Sequence, residues 1–181
     1  MRVIMWQTWL AVLIAFLIFG GVAVGEKNEE TGSKPAMSSS PAIEIHPIGT
    51  VHCQGDRAQI DLRPELAPAL EGLAGFSHVW VFYWFHENDQ PEERAILQVH
   101  PRRDPANPLT GVFATRAPVR PNLIGMTCCR IVNIKQNILE VEGLDAREGS
   151  PVLDLKPYIP ASDALPEAQV PGWVKRTKGS R

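Results

Sequence analysis

Alternating apolar and polar positions, interrupted by turn residues, predict short β-strands through most of residues 43–174. The clearest run is 76–86 (FSHVWVFYWFH), whose aromatic and β-branched residues predict a strand buried on both faces. A short helix is predicted at 64–73, and turns at Asn137 and Gly149. The remaining strands are predicted at 42–52, 57–62, 94–101, 111–115, 124–135, 138–143 and 151–155. Short strands at this spacing predict a mainly β fold, a small barrel or sandwich, rather than βαβ units.

The N-terminal part of the chain follows a different pattern. Arg2 is followed by an uncharged run, 3–25, which predicts a hydrophobic helix that is either a membrane anchor or a signal peptide. Residues 26–42 predict a flexible Ser/Pro-rich linker. An alternative start at Met37 would leave a cytoplasmic protein, whereas translation of residues 1–36 would give an anchored or exported one.

Composition narrows the function classes only slightly. Hydrophobic residues make up 44% and charged residues 21% of the chain, a globular balance, and the net charge of −2 does not indicate a general nucleic-acid binder. The three cysteines, Cys53, Cys128 and Cys129, lack zinc-ligand spacing, so we predict ordinary packing for them and no metal site. The chain also lacks a G-x-G-x-x-G fingerprint, which excludes a Rossmann-type nucleotide site.

Two segments carry candidate chemistry. In GVFATRAPVRPNLIGM (111–126), Arg116 and Arg120 are each followed within two residues by proline, an arrangement suited to holding a carboxylate or phosphate. In LDAREGSPVLDLKPYIP (144–160), Asp154, Lys156 and Tyr158 alternate along an extended segment and therefore face one side. That face is either a polar site or a solvated strand surface. His86 and Glu87 end the aromatic strand and are further candidates for ligand contacts, whereas no role is predicted for the other histidines.

These segments, together with GLAGFSHVWVFYWFH, resemble the signature blocks of the TrmO/TsaA-like family, in the same order over about residues 43–173. Members of that family are S-adenosylmethionine-dependent methyltransferases that modify N6 of threonylcarbamoyladenosine at position 37 of tRNA. The resemblance implies a small β-barrel, a homodimer and a cofactor bound near the dimer interface.

Site residues follow from the resemblance position by position. The implied cofactor contacts are His86, Glu87, Arg116, Met126, Arg147, Glu148, Gly149 and Ser150. Asp154, Lys156 and Tyr158 match a block beside the site and are the predicted catalytic residues. Arg102, Arg103 and Arg120, with the basic tail 175–181, are candidate contacts to tRNA phosphates.

The chain departs from the family pattern at several positions. Glu87 replaces glutamine, Leu123 replaces proline, and Glu148-Gly149-Ser150 replaces Asp-Gly-Thr. A Pro-Arg-Gln loop of longer members has no counterpart in HCQGDRAQI. Two alternatives therefore stay open: a membrane-tethered or exported binding module without activity, and a methyltransferase for a small molecule.

Overall fold

A computed structural model describes residues 42–175 of the protein. The predicted N-terminal hydrophobic helix, nearly all of the linker and residues 176–181 of the basic tail lie outside these residues. A compact unit begins at Ile43. Within residues 42–175, no helix is long and apolar enough to cross a bilayer.

Eight strands and a few short helical turns make up the described part of the chain. The strands are β1 (Gly49–Gln54), β2 (Arg57–Leu62), β3 (His78–Trp84), β4 (Gln98–Val99), β5 (Thr110–Gly111), β6 (Ile124–Lys135), β7 (Ile138–Glu142) and β8 (Pro151–Pro157). The α-helices are α1 (Pro91–Arg94), α2 (Pro160–Asp163) and α3 (Gly172–Lys175). The 3₁₀ turns are Pro64–Leu70, Leu73–Gly75, His86–Asn88, Pro101–Arg103 and Val112–Ala114.

Six of the strands close into an antiparallel barrel in the order β1-β2-β7-β6-β3-β8, which confirms the predicted small barrel. The closing contact between β1 and β8 is short, pairing Gly49 with Val152 and Thr50 with Pro151. A Cβ atom at Gly49 would lie 2.4 Å from the backbone oxygen of Asp61 on β2, so the close approach of β1 and β2 requires glycine there.

The barrel core is filled by inward-facing side chains that alternate along each strand. On β3, Val79, Val81 and Tyr83 are buried, whereas the residues between them are half-buried on the outer face. The predicted burial of both faces is therefore wrong. The outer tryptophans are accommodated because they are amphipathic, and Trp80 Nε1 donates to Asp163 over 2.9 Å.

The predicted strand boundaries are confirmed for most barrel strands, and they fail at the start of β1 and for the two short strands outside the barrel. The strand predictions at 57–62, 124–135, 138–143 and 151–155 are confirmed within two residues, and the helix predicted at 64–73 is a 3₁₀ helix over Pro64–Leu70. The full strands predicted at 94–101 and 111–115 are wrong. Only Gln98–Val99 and Thr110–Gly111 pair with each other, and they do so outside the barrel. Residues 42–48 carry the right alternation but form no strand, and Ile43 is 89% exposed.

The cysteines confirm the packing prediction only in part. Cys129 faces the core and burial raises its thiol pKa to about 12, whereas Cys128 faces outward from the same strand. Cys53 is exposed, contrary to the prediction, because it lies near the end of β1 beyond the core.

Candidate functional site

A cleft of about 800 Å³ opens at the end of the barrel where β3 ends and β6 begins. We refer to it as the barrel cleft. Its walls come from the loop that follows β3, from residues 113–122 and from the loop between β7 and β8. The barrel cleft brings together eight residues predicted from sequence: His86, Glu87, Arg103, Arg116, Arg120, Met126, Arg147 and Ser150.

The floor of the barrel cleft contains a buried tyrosine that the sequence analysis missed. Tyr83 is 3% exposed, and its hydroxyl donates to the Asp145 carbonyl oxygen over 2.6 Å. Burial raises the pKa of Tyr83, which keeps the phenol neutral. Gly125 lies across from Tyr83 on β6, and a Cβ atom there would meet the ring at 2.5 Å. A glycine inside a strand was the available signal for such a close approach.

Two polar contacts join the loop after β3 to the loop before β8. His86 Nδ1 lies 3.3 Å from Ser150 Oγ, and Ser150 is buried. The Glu87 carboxylate lies 3.7 Å from Nε of Arg147 in an exposed ion pair. Residues separated by about sixty positions in the chain are thus side by side along one wall.

The arginine-rich loop uses its two arginines differently. Arg120 donates from Nε to the carbonyl oxygen of Ala117 over 2.8 Å, and from Nη2 to those of Val112 and Thr115 over 3.2 and 2.8 Å. Arg116 makes no hydrogen bond or ion pair with any residue of the described part of the chain. Arg120 therefore holds the loop, while the Arg116 guanidinium remains available to an anion in the cleft.

Arg94 fixes the other wall. Its guanidinium lies 5.2 Å from the centre of the Trp84 ring, pairs with Asp89 at 2.7 Å and donates to the Pro121 carbonyl oxygen over 3.1 Å. The hydrogen bond from Arg94 also lowers the pKa of Asp89. One side chain thereby connects the loop after β3 to the segment that leads into β6.

The barrel cleft is locally basic although the chain carries a net charge of −2. Its lining has four arginines against two carboxylates, namely Arg103, Arg116, Arg120 and Arg147 against Glu87 and Asp145. Because a concave surface focuses the field of its charges, the cleft favours an anionic or phosphate-bearing ligand.

The family model of the tRNA-methyltransferase O N-terminal domain matches residues 38–164. The chain belongs to this family. The match spans the whole barrel and the three segments that build the cleft walls, as the resemblance in the sequence implied.

Known members of the family differ in length. A protein of Methanocaldococcus jannaschii named "probable S-adenosyl-L-methionine-binding protein" is 41% identical over 112 residues, covering 62% of this chain and 89% of its own. The tRNA (adenine(37)-N6)-methyltransferase of Mus musculus is 39% identical over 116 residues, but the chain covers only 26% of its length. The crystal structure of TrmO from Pseudomonas aeruginosa matches with a TM-score of 0.55 and 32% identity, covering 71% of this chain and 61% of that structure.

The family's Asp-Leu-Lys-Pro-Tyr block lies on the outside of the barrel. Asp154 pairs in register with Phe82, and Lys156 with Trp80, so the predicted common face is confirmed. Lys156 Nζ lies 2.7 Å from Asp154 Oδ2, and the Tyr158 ring packs 5.9 Å from that of Trp80. None of the three predicted catalytic residues lines the barrel cleft, although Asp154 pairs in register with Phe82, which does.

Arg102 is a further residue that the structure places outside the cleft. Its guanidinium donates to the carbonyl oxygens of Trp173 and Val174 over 3.4 and 3.2 Å. Its predicted contact with tRNA stays a prediction, as does that of Arg120, whose donors hold the loop. Arg103, by contrast, lines the cleft.

Glu148 and Gly149 also lie behind the cleft wall rather than in it. The Glu148 carboxylate accepts hydrogen bonds from the Cys53 backbone N–H over 2.6 Å and from His52 over 2.9 Å. The bond from Cys53 is the main cause of the lowered pKa of Glu148. Glu148 therefore ties the loop that carries Arg147 and Ser150 to β1, a role that its sequence position did not reveal.

We expect Glu148→Gln to loosen this loop and to remove part of the acid sensitivity of the protein. A carboxyl with a lowered folded pKa stabilises the fold above its unfolded pKa, near 4.5, and that contribution disappears as the pH falls through the lower folded value. Thermal unfolding across this range should show a shallower pH dependence for the variant. Glu140→Gln, at a residue that makes no such contact within the described chain, is the control; identical pH profiles for Glu148→Gln and wild type would contradict the tether.

Proposed function

We propose that the chain is an S-adenosylmethionine-dependent methyltransferase that modifies N6 of threonylcarbamoyladenosine at position 37 of tRNA. The observation that carries this proposal is the barrel cleft, in which residues matching the family's cofactor contacts meet, while its local positive charge suits the phosphates of a tRNA. The mouse relative, a tRNA (adenine(37)-N6)-methyltransferase, supports the reaction, and the Methanocaldococcus relative, a probable S-adenosyl-L-methionine-binding protein, supports the cofactor.

The residues of the barrel cleft fit S-adenosylmethionine. The free guanidinium of Arg116 suits the cofactor's carboxylate, and the carboxylates of Glu87 and Asp145 suit its ammonium or ribose hydroxyl groups. Phe85 and Met126 offer apolar surface to an adenine ring or a methyl group. A volume of about 800 Å³ is within the usual range for a small-molecule pocket.

The chain's own residues would position the reactants and remove a proton. When bound, the cofactor supplies an electrophilic methyl group on a sulfonium sulfur. Transfer of that methyl group from the sulfur to N6 would release one proton from the nitrogen. His86, Glu87 and Asp145 line the cleft and can accept that proton, while the loops exclude water and align the reacting atoms.

We propose further that the active form is a homodimer. Within one protomer, none of Asp154, Lys156 and Tyr158 lines the barrel cleft, so we assign their catalytic role to the cleft of a second copy that faces this surface. The half-exposed aromatic face of β3 supports such an association. If sites are shared, a mixture of Arg116→Ala and Lys156→Ala proteins, assayed at a cofactor concentration where each alone has low activity, should regain activity; no recovery in mixtures that form mixed dimers would contradict sharing.

The reaction is tested by incubating the full-length chain with methyl-labelled S-adenosylmethionine and tRNA. We expect nucleoside mass spectrometry to find one added methyl group on threonylcarbamoyladenosine, and none in the same tRNA prepared without that modification. Cofactor binding with no methylated nucleoside would contradict the proposed substrate, and labelled small molecules from a cell extract would favour the alternative reaction.

A further inference from the structure

Among the large apolar residues that line the barrel cleft, Phe113 is the most exposed, with 82% of its surface accessible. The floor of the same cleft is closed, since Tyr83 and Ser150 are 3% and 1% exposed. Phe113 therefore lies at the mouth of the cleft, on the side that faces solvent. Its ring contributes little to the core, so folding does not account for an aromatic residue at this position.

The backbone around Phe113 is held on both sides. Arg120 Nη2 donates to the carbonyl oxygens of Val112 and Thr115, over 3.2 and 2.8 Å, and the Thr115 N–H donates back to Val112 over 3.1 Å. Val112 itself is buried and its N–H donates to the Leu97 carbonyl oxygen over 2.9 Å. An exposed aromatic ring is thus presented from a fixed turn, so little backbone entropy would be lost on binding.

Positive charge lies along the same cleft. Arg103 lines the cleft from a left-handed backbone conformation, with φ of 55°. Such a conformation is costly for a residue other than glycine and is maintained by the surrounding loop. An aromatic surface beside a guanidinium group is the arrangement that binds an unstacked base together with its phosphate.

We propose that the ring of Phe113 stacks against the target purine of the RNA substrate and holds it over the cleft. The inference rests on the proposed function and adds a substrate-positioning residue to it. Arg120 supports this contact indirectly, because its hydrogen bonds fix the turn that carries Phe113.

The test separates RNA binding from methyl transfer and uses the full-length chain. Phe113→Ala should weaken binding of a modified anticodon stem–loop RNA, measured by fluorescence anisotropy, and raise the KM for tRNA, each by about tenfold to a hundredfold. Phe113→Trp should keep both near wild type, and the affinity for S-adenosylmethionine should be unchanged. Leu109→Ala removes an exposed apolar side chain, 56% accessible, from outside the cleft lining and is the matched control.

Four results would overturn the inference: unchanged RNA affinity in Phe113→Ala, an equal loss of cofactor affinity, conversion of a dimer to a monomer in sedimentation, or no RNA binding by wild type. An equal loss of cofactor affinity in Phe113→Ala would place Phe113 in the cofactor pocket. A monomeric Phe113→Ala protein would show that Phe113 is a contact between two copies of the chain. Phe113-dependent RNA binding without methyl transfer would support the stacking contact and contradict the proposed reaction.

Discussion

Gly125→Ala is expected to destabilise the barrel by about 1–3 kcal/mol, the usual cost of an added methyl group in a packed core. The new Cβ atom would lie 2.5 Å from Cε2 and 2.6 Å from Cζ of Tyr83. The ring cannot move aside easily, because Tyr83 is buried and its hydroxyl is hydrogen-bonded to the Asp145 carbonyl oxygen. The substitution should therefore also disturb the loop between β7 and β8 and weaken cofactor binding.

Denaturant unfolding and cofactor titration measure the two effects of Gly125→Ala separately. Gly75→Ala is the control, because an added Cβ atom there meets no atom within 4 Å and the residue has no positive φ. If Gly125→Ala were as stable as wild type and bound cofactor normally, the packing of Tyr83 over β6 could not be what shapes the cleft floor.

Arg116→Ala is expected to raise the Kd for S-adenosylmethionine by about tenfold to a hundredfold, the loss of a hydrogen bond to a charged group. Its effect on the free energy of unfolding should be small, because Arg116 has no hydrogen bond or ion pair within the described chain. Arg120→Ala should have the larger effect on the free energy of unfolding and the smaller effect on the Kd for S-adenosylmethionine, since it removes three hydrogen bonds that hold the loop.

Isothermal titration calorimetry and thermal unfolding of both arginine variants distinguish these roles. Arg63→Ala, at an exposed arginine that pairs with Glu65 at 3.4 Å, is a control for loss of surface charge. Arg116→Lys should recover part of the affinity, because it keeps the charge but not the planar fork. Normal affinity in Arg116→Ala would remove Arg116 from the cofactor site.

Sequence patterns predicted the barrel where local and tertiary signals agree. Strand β2 and the β6–β7 hairpin alternate clearly and have barrel neighbours on both sides, so their predicted boundaries are confirmed. Residues 94–101 and 111–115 carry a similar apolar signal, yet only a two-residue ladder forms there. Periodicity reports which residues could form a strand, but not whether a neighbouring strand is available to pair with it.

The sequence predicted many of the residues that form the candidate site, but fewer of the roles that these residues have. Motif positions such as Arg116 and His86 do line the cleft, because each lies at the end or turn of an element. Tyr83 was missed because it resembles any core residue of a strand, and only its register opposite Gly125 places it beneath the cleft. Arg120 binds backbone carbonyl groups within its own turn, and Glu148 binds a backbone N–H group that is distant in sequence. No sequence motif specifies such contacts to the backbone.

Photolabelling tests the central claim that the barrel cleft holds the cofactor. The full-length chain would be irradiated with methyl-labelled S-adenosylmethionine and the labelled peptides identified by mass spectrometry. We predict labelling within residues 82–88, 113–127 or 143–150, abolished by excess S-adenosylhomocysteine. Competable labelling confined to other parts of the chain, such as the hairpin of β1 and β2, would contradict the account.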